Sequence, residues 1–599
     1  APGDNTIPAG EKAYLTVNIQ SAGDIFGAGD SRSTTDGGYV DGVEEEHKVA
    51  NAHFFFFDAN GIYVGRTNPN NPTWNGNDHE NIEWMGKNVI VLEDLQGNEY
   101  PTYMLTVLNL PTFTDENGNT YTPAAGDSYE KVSAALTQFG ERGNFVMSTS
   151  SYYKGATTTD ANHDNKFPML TKLDKSNFSL EPRATNKVTP VEVYVERLAG
   201  KVTVTTESTL IPTENGLYEI DATVFGEGND GNVEGNTKLY VRLEGWTLNA
   251  LAKNSYISKQ LLAGWETTVP FTGWDRPDYY RSFWAKSWVY DKAKFKEGNN
   301  LDYFKYIDYN TATKTEYGMD YYNYCNENTN VAANVLKNKL VVPAYTTHVT
   351  LAATVCDVDG NGLDLVEYNK VLFTKADYIK YVLSVLQSAG KLDYYVKTIE
   401  KVEVQATDEL GNPKFNDDGT PVMVEVDKEV YNELPATAYD WDAANNGTGS
   451  IYIAAKADAA EALWVKNEAG EYVEVDVAGK TDIEVMNEGL LAYQKDTTKM
   501  AKAIAFNGGR MVYNVPIEHF ANNGLTAEDE GYYGVVRNHW YKLSIGKIVR
   551  VGHGIFNPGT DEVPGEAIIP DEPEDPRYYV SANINILSWK VINQGGIEL

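Results

Sequence analysis

Histidines and short nucleophile motifs are the first features to test for chemistry, because many enzymes need them at fixed spacings. No two histidines form an i,i+4 pair or an HExxH sequence among the eight, which are His47, His53, His79, His163, His348, His519, His539 and His553. The chain has no GxSxG or GxxxxGK sequence, and no GxGxxG joins a predicted strand to a predicted helix. Carboxylates are too numerous for their spacing to identify a glycosidase pair. The sequence therefore supports no catalytic site, and we expect the protein not to be an enzyme.

One acidic segment has the pattern of a calcium-binding loop. Asp357, Asp359 and Asn361 occupy its first, third and fifth positions, and Gly362 occupies the sixth. Such oxygen ligands around a glycine turn suit a hard cation. The twelfth position, where a bidentate carboxylate is needed, is Tyr368. The segment is either a structural calcium site or an acidic turn between two strands, and no other cofactor is predicted.

The two cysteines allow at most one disulfide within the chain. Cys325 and Cys356 each lie beside a segment with a strand pattern. In an exported protein they are either bridged or two buried thiols. The cysteine count therefore leaves the redox compartment open.

Composition limits the class of partner. The chain of 599 residues is long enough for two or more domains, and its formal net charge of -35 argues against binding nucleic acid. It contains no apolar run long enough to span a bilayer. The sequence begins at Ala1 without Met, which predicts an exported product whose leader was removed immediately before Ala1.

Strand patterns dominate the first 207 residues. Apolar residues alternate through 13–19, and an aromatic run from Phe54 leads into the turn signal Asp58-Ala-Asn-Gly. Further strands are predicted at 89–94 and 103–111, and two more on either side of Arg197. Asp127 and Glu130 form a capping-box pattern that predicts a helix ending at Gly140. We expect residues 1–207 to form one β-domain.

The second region, 208–557, has the same character. Strands are predicted from Lys238, Lys339 and Ile451, and a last pair within 531–552. Thr374 to Gly390 has the pattern of a capped helix with one apolar face. The acidic, turn-rich sequence from about residue 410 to 493 predicts surface hairpins or an insertion. Residues 558–576 are rich in proline and acids and are expected to stay extended as a linker.

The chain ends in a long apolar strand, 577–599. Apolar side chains recur at every second position and then change phase near Ser588, which predicts a bulge there. They are Tyr578, Val580, Ala582, Ile584 and Ile586, followed by Trp589 and Val591. The strand either completes its own domain or is delivered to another subunit.

Several segments together resemble the fimbrillins of Bacteroidia, the pilins of type V pili. The strongest is a strand that carries Val536, Arg537, Asn538, His539 and Tyr541, followed by the acidic linker and the Ile-x-Ile-x-x-Trp-x-Val pattern of the last strand. KVANAHFFFFDANG, VERLAGKV and YCNENTN are also similar to segments of that family. The length and the tyrosine-rich second region resemble its minor, short-fimbria branch most.

This resemblance implies a mainly β fold with two transthyretin-like β-sandwich domains, a few short helices and a C-terminal donor strand. It also implies a lipoprotein precursor, a protease that opens a groove in the first domain, and filling of that groove by a neighbour's last strand. The expected protein is an extracellular shaft subunit of an outer-membrane fimbria that supports adhesion and biofilm formation. Its expected partners are further copies of itself, anchor and tip subunits, and host or bacterial surface receptors. The alternative is a surface glycan-binding β-sandwich lipoprotein.

Overall fold

The computed structural model describes residues 6–8, 11–22, 38–39, 42–67, 73–74, 82–92, 95, 97–150, 153–154, 167, 169–181, 188–220, 238–262, 279–280, 282–290, 300–329, 344–442, 450–521, 524–526, 529–569, 582–587 and 590–591. Within these residues the chain is mainly β, and its principal apolar cores belong to two sandwiches and an accessory module. The prediction of a mainly β chain built of β-sandwiches with a few short helices is confirmed.

The strands of the first part are β1 (Ala13–Ala22), β2 (Gly38–Tyr39), β3 (Ala52–Phe57), β4 (Tyr63–Thr67), β5 (Thr73–Trp74), β6 (Ile82–Leu92), β7 (Tyr103–Leu108), β8 (Leu136–Thr137), β9 (Gly140–Glu141), β10 (Asn144–Phe145), β11 (Met147–Thr149), β12 (Tyr153–Lys154), β13 (Thr171–Lys172), β14 (Phe178–Ser179) and β15 (Val191–Arg197). Its helices are α1 (Glu44–His47) and α2 (Tyr129–Ser133).

Ten of these strands form one hydrogen-bonded ladder, in the order β4-β3-β7-β11-β15-β1-β6-β5, with β13 beside β7 and β14 beside β1. Leu15 and Val17 of β1 share a core with Phe54 and Phe56 of β3, so the ladder folds over itself into the first sandwich. The alternate residues Phe55 and Phe57 enter a second core on the outer face. A continuous aromatic run thus fits a strand that is buried on both faces.

The next strands are β16 (Gly200–Thr206), β17 (Tyr218–Ile220), β18 (Leu239–Asn249), β19 (Leu251–Ala252), β20 (Ser255–Tyr256), β21 (Tyr279–Tyr280), β22 (Phe304–Lys305), β23 (Asn323–Cys325), β24 (His348–Cys356), β25 (Leu365–Tyr368) and β26 (Val371–Thr374). The following ones are β27 (Tyr395–Gln405), β28 (Met423–Glu433), β29 (Tyr439–Trp441), β30 (Ile453–Ala455), β31 (Trp464–Lys466), β32 (Tyr472–Glu474), β33 (Ala503–Phe506), β34 (Arg510–Pro516), β35 (Trp540–Ile545), β36 (His553–Gly554), β37 (Ala582–Leu587) and β38 (Lys590–Val591). The helices are α3 (Asn300–Tyr303), α4 (Tyr309–Ala312), α5 (Lys375–Ser388) and α6 (Asp482–Lys495).

The second sandwich packs the sheet β23-β16-β35-β37 against the sheet β17-β18-β24-β34-β36. Val202 of β16 and Leu543 of β35 face Val241 of β18 and Leu351 of β24 in its core. β16 therefore belongs to this sandwich by pairing, although it precedes residue 207. We propose that the chain crosses between the sandwiches at Leu198 and Ala199.

The accessory module, residues 365–506, surrounds a core of its own. Thr374 caps α5 by accepting the backbone N–H of Asp377 at 3.2 Å, and Gly390, with φ +73°, follows its end. This predicted helix is confirmed. Sequence analysis missed α6, although Thr481 and Glu484 form a reciprocal capping box at its start.

The helix predicted from Asp127 to Gly140 is wrong beyond its first turn. α2 ends at Ser133, and Leu136 instead pairs in β8 with Tyr256 of β20. The N-cap of α2 is Ser128, whose hydroxyl accepts the Lys131 backbone N–H at 3.2 Å. A strand partner from distant sequence thus overrides the local helical pattern.

Candidate assembly surface and the junction that positions it

The backbone of β37 completes the four-stranded sheet of the second sandwich. It pairs antiparallel with β35, and Ile584 lies opposite Leu543. Further on, β38 pairs with β2, and Val591 lies opposite Gly38. The last strand therefore lies on its own chain in this structure, which is the first of the two arrangements that the sequence left open.

Apart from Val591, which lies in β38, the residues predicted for the donor strand fall into two sets. The first set is in β37 and consists of Ala582, Ile584 and Ile586. These residues lie directly opposite Ile545, Leu543 and Tyr541 of β35, respectively. Tyr578, Val580 and Trp589, like the bulge predicted near Ser588, lie outside the described residues. β37 ends at Leu587, where the apolar alternation changes phase.

β35 has a buried face and a partly exposed face. Tyr541, Leu543 and Ile545 are buried in the core of the second sandwich. On the other face, the ammonium groups of Lys201 and Lys542 lie 4.0 and 4.4 Å from the Trp540 ring centroid. Burial, together with the nearby charge of Lys201, lowers the pKa of Lys542 to about 8.

The motif that precedes β35 builds the junction between the sandwiches. The Arg537 guanidinium is fully buried and donates to Glu327 Oε1 at 2.6 Å, to Tyr256 O at 2.7 Å and to Ile257 O at 3.1 Å. It also lies 3.4 Å from the Ser148 hydroxyl of β11 in the first sandwich. One side chain thus ties the start of β35 to both parts of the molecule.

The residues around Arg537 fix the backbone at this junction. Asn538 has φ +58° and donates its N–H to Ala199 O at 2.8 Å, while Lys201 donates its N–H to His539 O at 2.9 Å. The Tyr541 hydroxyl accepts the Val536 N–H at 2.8 Å. The segments with VRNH, ENT and LAGK, which are far apart in sequence, therefore meet in space.

A second buried ion pair lies close to this junction. Lys201 Nζ is 2.8 Å from Glu46 Oε2, to which the Tyr324 hydroxyl donates at 2.6 Å. Burial by itself raises the pKa of Glu46. The positive charge of Lys201 and the hydrogen bonds from Lys201 and Tyr324 have a larger, opposite effect. The pKa of Glu46 is therefore lowered. Sequence analysis missed Glu46, because nothing local marks it as buried.

The first half of the predicted linker is packed, so the expectation that the whole run stays extended is wrong. Ile568 is 6% exposed, and its backbone N–H donates to Ile307 O at 2.8 Å. Gly565 donates its N–H to the Asp308 carboxylate at 2.9 Å. The backbone N–H of Asn310 donates to Pro558 O at 2.9 Å. Only residues 570–581 separate this packed part from β37.

The other sequence candidates have structural roles. Asp357 accepts the backbone N–H groups of Asp359 and Asn361 at 3.0 and 2.9 Å, so the calcium-like segment forms a strand-to-strand turn. Over the described ranges, no three His, Cys, Asp or Glu side chains are placed to hold a metal ion. Cys325 and Cys356 are both buried and not bridged, and burial raises the pKa of Cys325 to about 12.

The C-terminal region is similar to a known protein family. Residues 504–595 match the family model described as major fimbrial subunit protein type IV, fimbrillin, C-terminal. This segment, from β33 through the last strand, is therefore similar to the C-terminal region of that family. No curated protein matches the sequence. In the part of the chain that the structure describes, none of the helices has the length and apolar character needed to cross a membrane.

Several solved structures show distant similarity over long stretches. A fimbrial assembly protein from Parabacteroides distasonis is 12% identical, with a TM-score of 0.25, covering 58% of this chain and 83% of that one. A putative cell adhesion protein from the same organism is 10% identical, with a TM-score of 0.27, covering 97% and 99%. The C-terminally truncated tip fimbrial protein Mfa3 from Porphyromonas gingivalis is 10% identical, with a TM-score of 0.24, covering 94% and 100%.

Proposed function

We propose that this chain is a structural shaft subunit of a bacterial surface fimbria. It polymerises when its last strand leaves β35 and enters a groove in the first sandwich of a neighbouring subunit. The observation that carries this proposal is the attachment of β37: within the described residues it is an edge strand that pairs only with β35, and residues 570–581 join it to the packed chain. The fimbrillin match of residues 504–595, which includes this strand, supports it.

The joining segment is long enough for exchange. At roughly 3.3–3.6 Å per extended residue, twelve residues span at most about 40 Å, which is enough to reach an adjacent subunit. The same segment keeps β37 at a high effective concentration near β35, so pairing within one chain competes with assembly. The acceptor groove must therefore bind the strand more strongly than β35 does.

A groove that buries the whole apolar strand meets this requirement. The apolar alternation runs from Tyr578 to Val591, and each large apolar side chain buried in a groove contributes up to roughly 1.5–3 kcal/mol. Because donor and acceptor surfaces differ, the contact is heterologous and propagates into a filament.

A reversible crosslink tests the exchange directly. Ser544 and Asn583 lie opposite each other in the β35–β37 ladder, so S544C with N583C can form a disulfide that holds the strand on its own sheet. We expect the oxidised double variant to stay monomeric and to assemble once reduced. S544C alone is the matched control and should assemble in both conditions. Assembly of the oxidised variant at the rate of the control would contradict the mechanism.

Deletion of residues 577–599 provides a second test. We expect a folded subunit that no longer polymerises, since both cores of the two sandwiches lie in the remaining chain. Circular dichroism and electron microscopy measure the two properties separately. Normal filaments from the truncated chain would exclude donation of this strand, and loss of folding would assign it to its own domain.

The remaining parts of the proposal follow from the fimbrillin resemblance. They are export as a lipoprotein precursor, proteolytic maturation, contact with anchor and tip subunits, and a role in adhesion and biofilm formation. The alternative of a glycan-binding surface protein has less support. The partly exposed Tyr431 and Tyr472 of the accessory module stack on each other with ring centroids 4.0 Å apart, which leaves less ring surface for a sugar.

A further inference from the structure

The accessory module carries a solvent-exposed ribbon of two strands. β27 and β28 pair over their full length, from Tyr395 opposite Glu433 to Gln405 opposite Met423. Within the described residues, β27 has one further ladder contact, between Tyr395 and Trp464, and β28 has none. An isolated two-stranded ribbon is marginally stable in water, and a third strand stabilises it. No strand in the described part of the chain pairs with the outer edge of β28, which is therefore open there along its whole length.

One face of this ribbon carries a row of valines. Val402 lies opposite Val426, and Val404 lies opposite Val424. The exposed fractions of Val404, Val424 and Val426 are 39%, 40% and 39%. Because β-branched residues stabilise a sheet mainly by packing against cross-strand neighbours, this row would gain from a further strand with aliphatic residues on the same face.

On the opposite face, β28 contributes an acidic row, Glu425, Asp427 and Glu429, whereas β27 contributes Lys397, Lys401 and Glu403. Glu403 and Glu425 lie directly opposite each other, and both are exposed. Like charges in this position destabilise a ladder. Glu429, by contrast, has Lys397 at 2.9 Å. Among the described ion pairs none includes Glu403 or Glu425, so a cation beside β28 would relieve their repulsion.

The acidic row also acts against pairing between two copies of β28. An antiparallel pair centred on Val426 keeps the valines on one face but places Glu425 opposite Asp427 of the second copy. A pair centred on Asp427 places Glu425 opposite Glu429. Like-charged residues on an open edge are a means of preventing edge-to-edge association of identical chains. The edge therefore favours a partner of different composition.

We infer that the edge of β28 binds an extended segment of another polypeptide in which aliphatic and basic residues alternate. Its aliphatic side chains continue the valine face, and its Lys or Arg side chains lie beside Glu425 and Asp427. Backbone hydrogen bonds to the open edge supply affinity, and the alternating side chains supply specificity. This interaction surface belongs to the accessory module and does not depend on the exchange of the last strand.

A short peptide tests this surface on the full chain. The probe is a fluorescent, N-acetylated nine-residue peptide of alternating Lys and Val, and its binding is followed by anisotropy. We expect saturable binding that E425K weakens at least tenfold. The new ammonium group of that variant faces Glu403, which removes the like-charge pair and preserves the ribbon. E409K makes the same charge change in the exposed turn beyond β27, and we expect it to weaken binding less than twofold.

Two further peptides separate edge pairing from a general attraction to an acidic protein. Each has the same sequence and is N-methylated at alternate residues, in one phase or the other. A strand on an edge uses alternate N–H groups, so one phase should lose binding and the other should keep it. Equal binding of both peptides, equal effects of E425K and E409K, or no binding by the parent chain would each overturn the inference.

Discussion

Arg537 and Glu327 form an ion pair of 2.6 Å in the protein interior, with side-chain exposed fractions of 1% and 0%. Arg537 lies three residues before β35, and Glu327 follows β23, so the pair joins the segments next to these two strands of the second sandwich. Because Arg537 also contacts Ile257 and Ser148, it links the strand that receives β37 to the first sandwich.

We expect Glu327→Gln to be strongly destabilising, because it leaves the buried Arg537 guanidinium without its counter-charge. The expected loss is about 3–5 kcal/mol in the free energy of unfolding, measured by urea denaturation. The control is Asp561→Asn, which removes an equally short but exposed pair with Lys314. That change should destabilise the protein much less, because water screens an exposed ion pair. Equal losses in the two variants would contradict a structural role for burial at the junction.

Glu46 should make the protein sensitive to acid. Its pKa is lowered in the folded state from the ordinary 4.5, so its stabilising effect is complete above about that pH. It is lost as the pH falls through the lower folded-state pKa. We expect the stability difference between the parent and Glu46→Gln to shrink as the pH falls below 4.5. Glu45→Gln, which removes one carboxylate at an exposed neighbouring position, is the matched control.

The charge of Lys542, unlike that of Glu46, should destabilise the folded state. Its folded-state pKa of about 8 lies below the ordinary 10.5, so the unfolded chain binds more protons between these values. Stability therefore rises with pH across this range. At pH 7 we expect Lys542→Met to stabilise the chain by on the order of 1 kcal/mol, after discounting for partial exposure. The gain should disappear by pH 10.5. Lys547→Met, which removes the same charge at an exposed site, is the matched control.

Ile584 and Ile586 of the last strand, which lie opposite the buried Leu543 and Tyr541 of β35, should control assembly. Replacing Ile584 and Ile586 together by Asp is expected to abolish polymerisation, because charged groups cannot enter an apolar groove without a large desolvation cost. The melting temperature of the monomer should change little, since both sandwich cores form from residues before 558. Sedimentation and thermal unfolding measure these properties.

The matched control changes the other row. Asn583 and Asn585 lie opposite Ser544 and Lys542, on the alternate face of the ladder. Replacing both by Asp adds the same charge to the same strand and is expected to permit assembly. If this pair blocked filaments while the isoleucine pair did not, the opposite face of the strand would enter the groove.

Local patterns predicted many elements but not their partners. The hairpin of β3 and β4 could be predicted because Asp58 accepts the N–H groups of Asn60 and Ile62 within the turn. The α5 helix could be predicted from its cap and apolar face. The sequence signal for α6 was also present in Thr481 and Glu484, but the surrounding acidic turns obscured it.

The sequence alone determined which segments have a buried face, because a side-chain period of two or 3.6 residues is a local property. Only the tertiary structure decided which surfaces bury those faces. It separated β15 from β16 into different sandwiches, paired β1 with β15 in parallel, and brought Glu327 to Arg537. It also placed β37 on β35 of the same chain. Periodicity cannot specify such partners, because any edge with a complementary register offers a strand the same backbone hydrogen bonds.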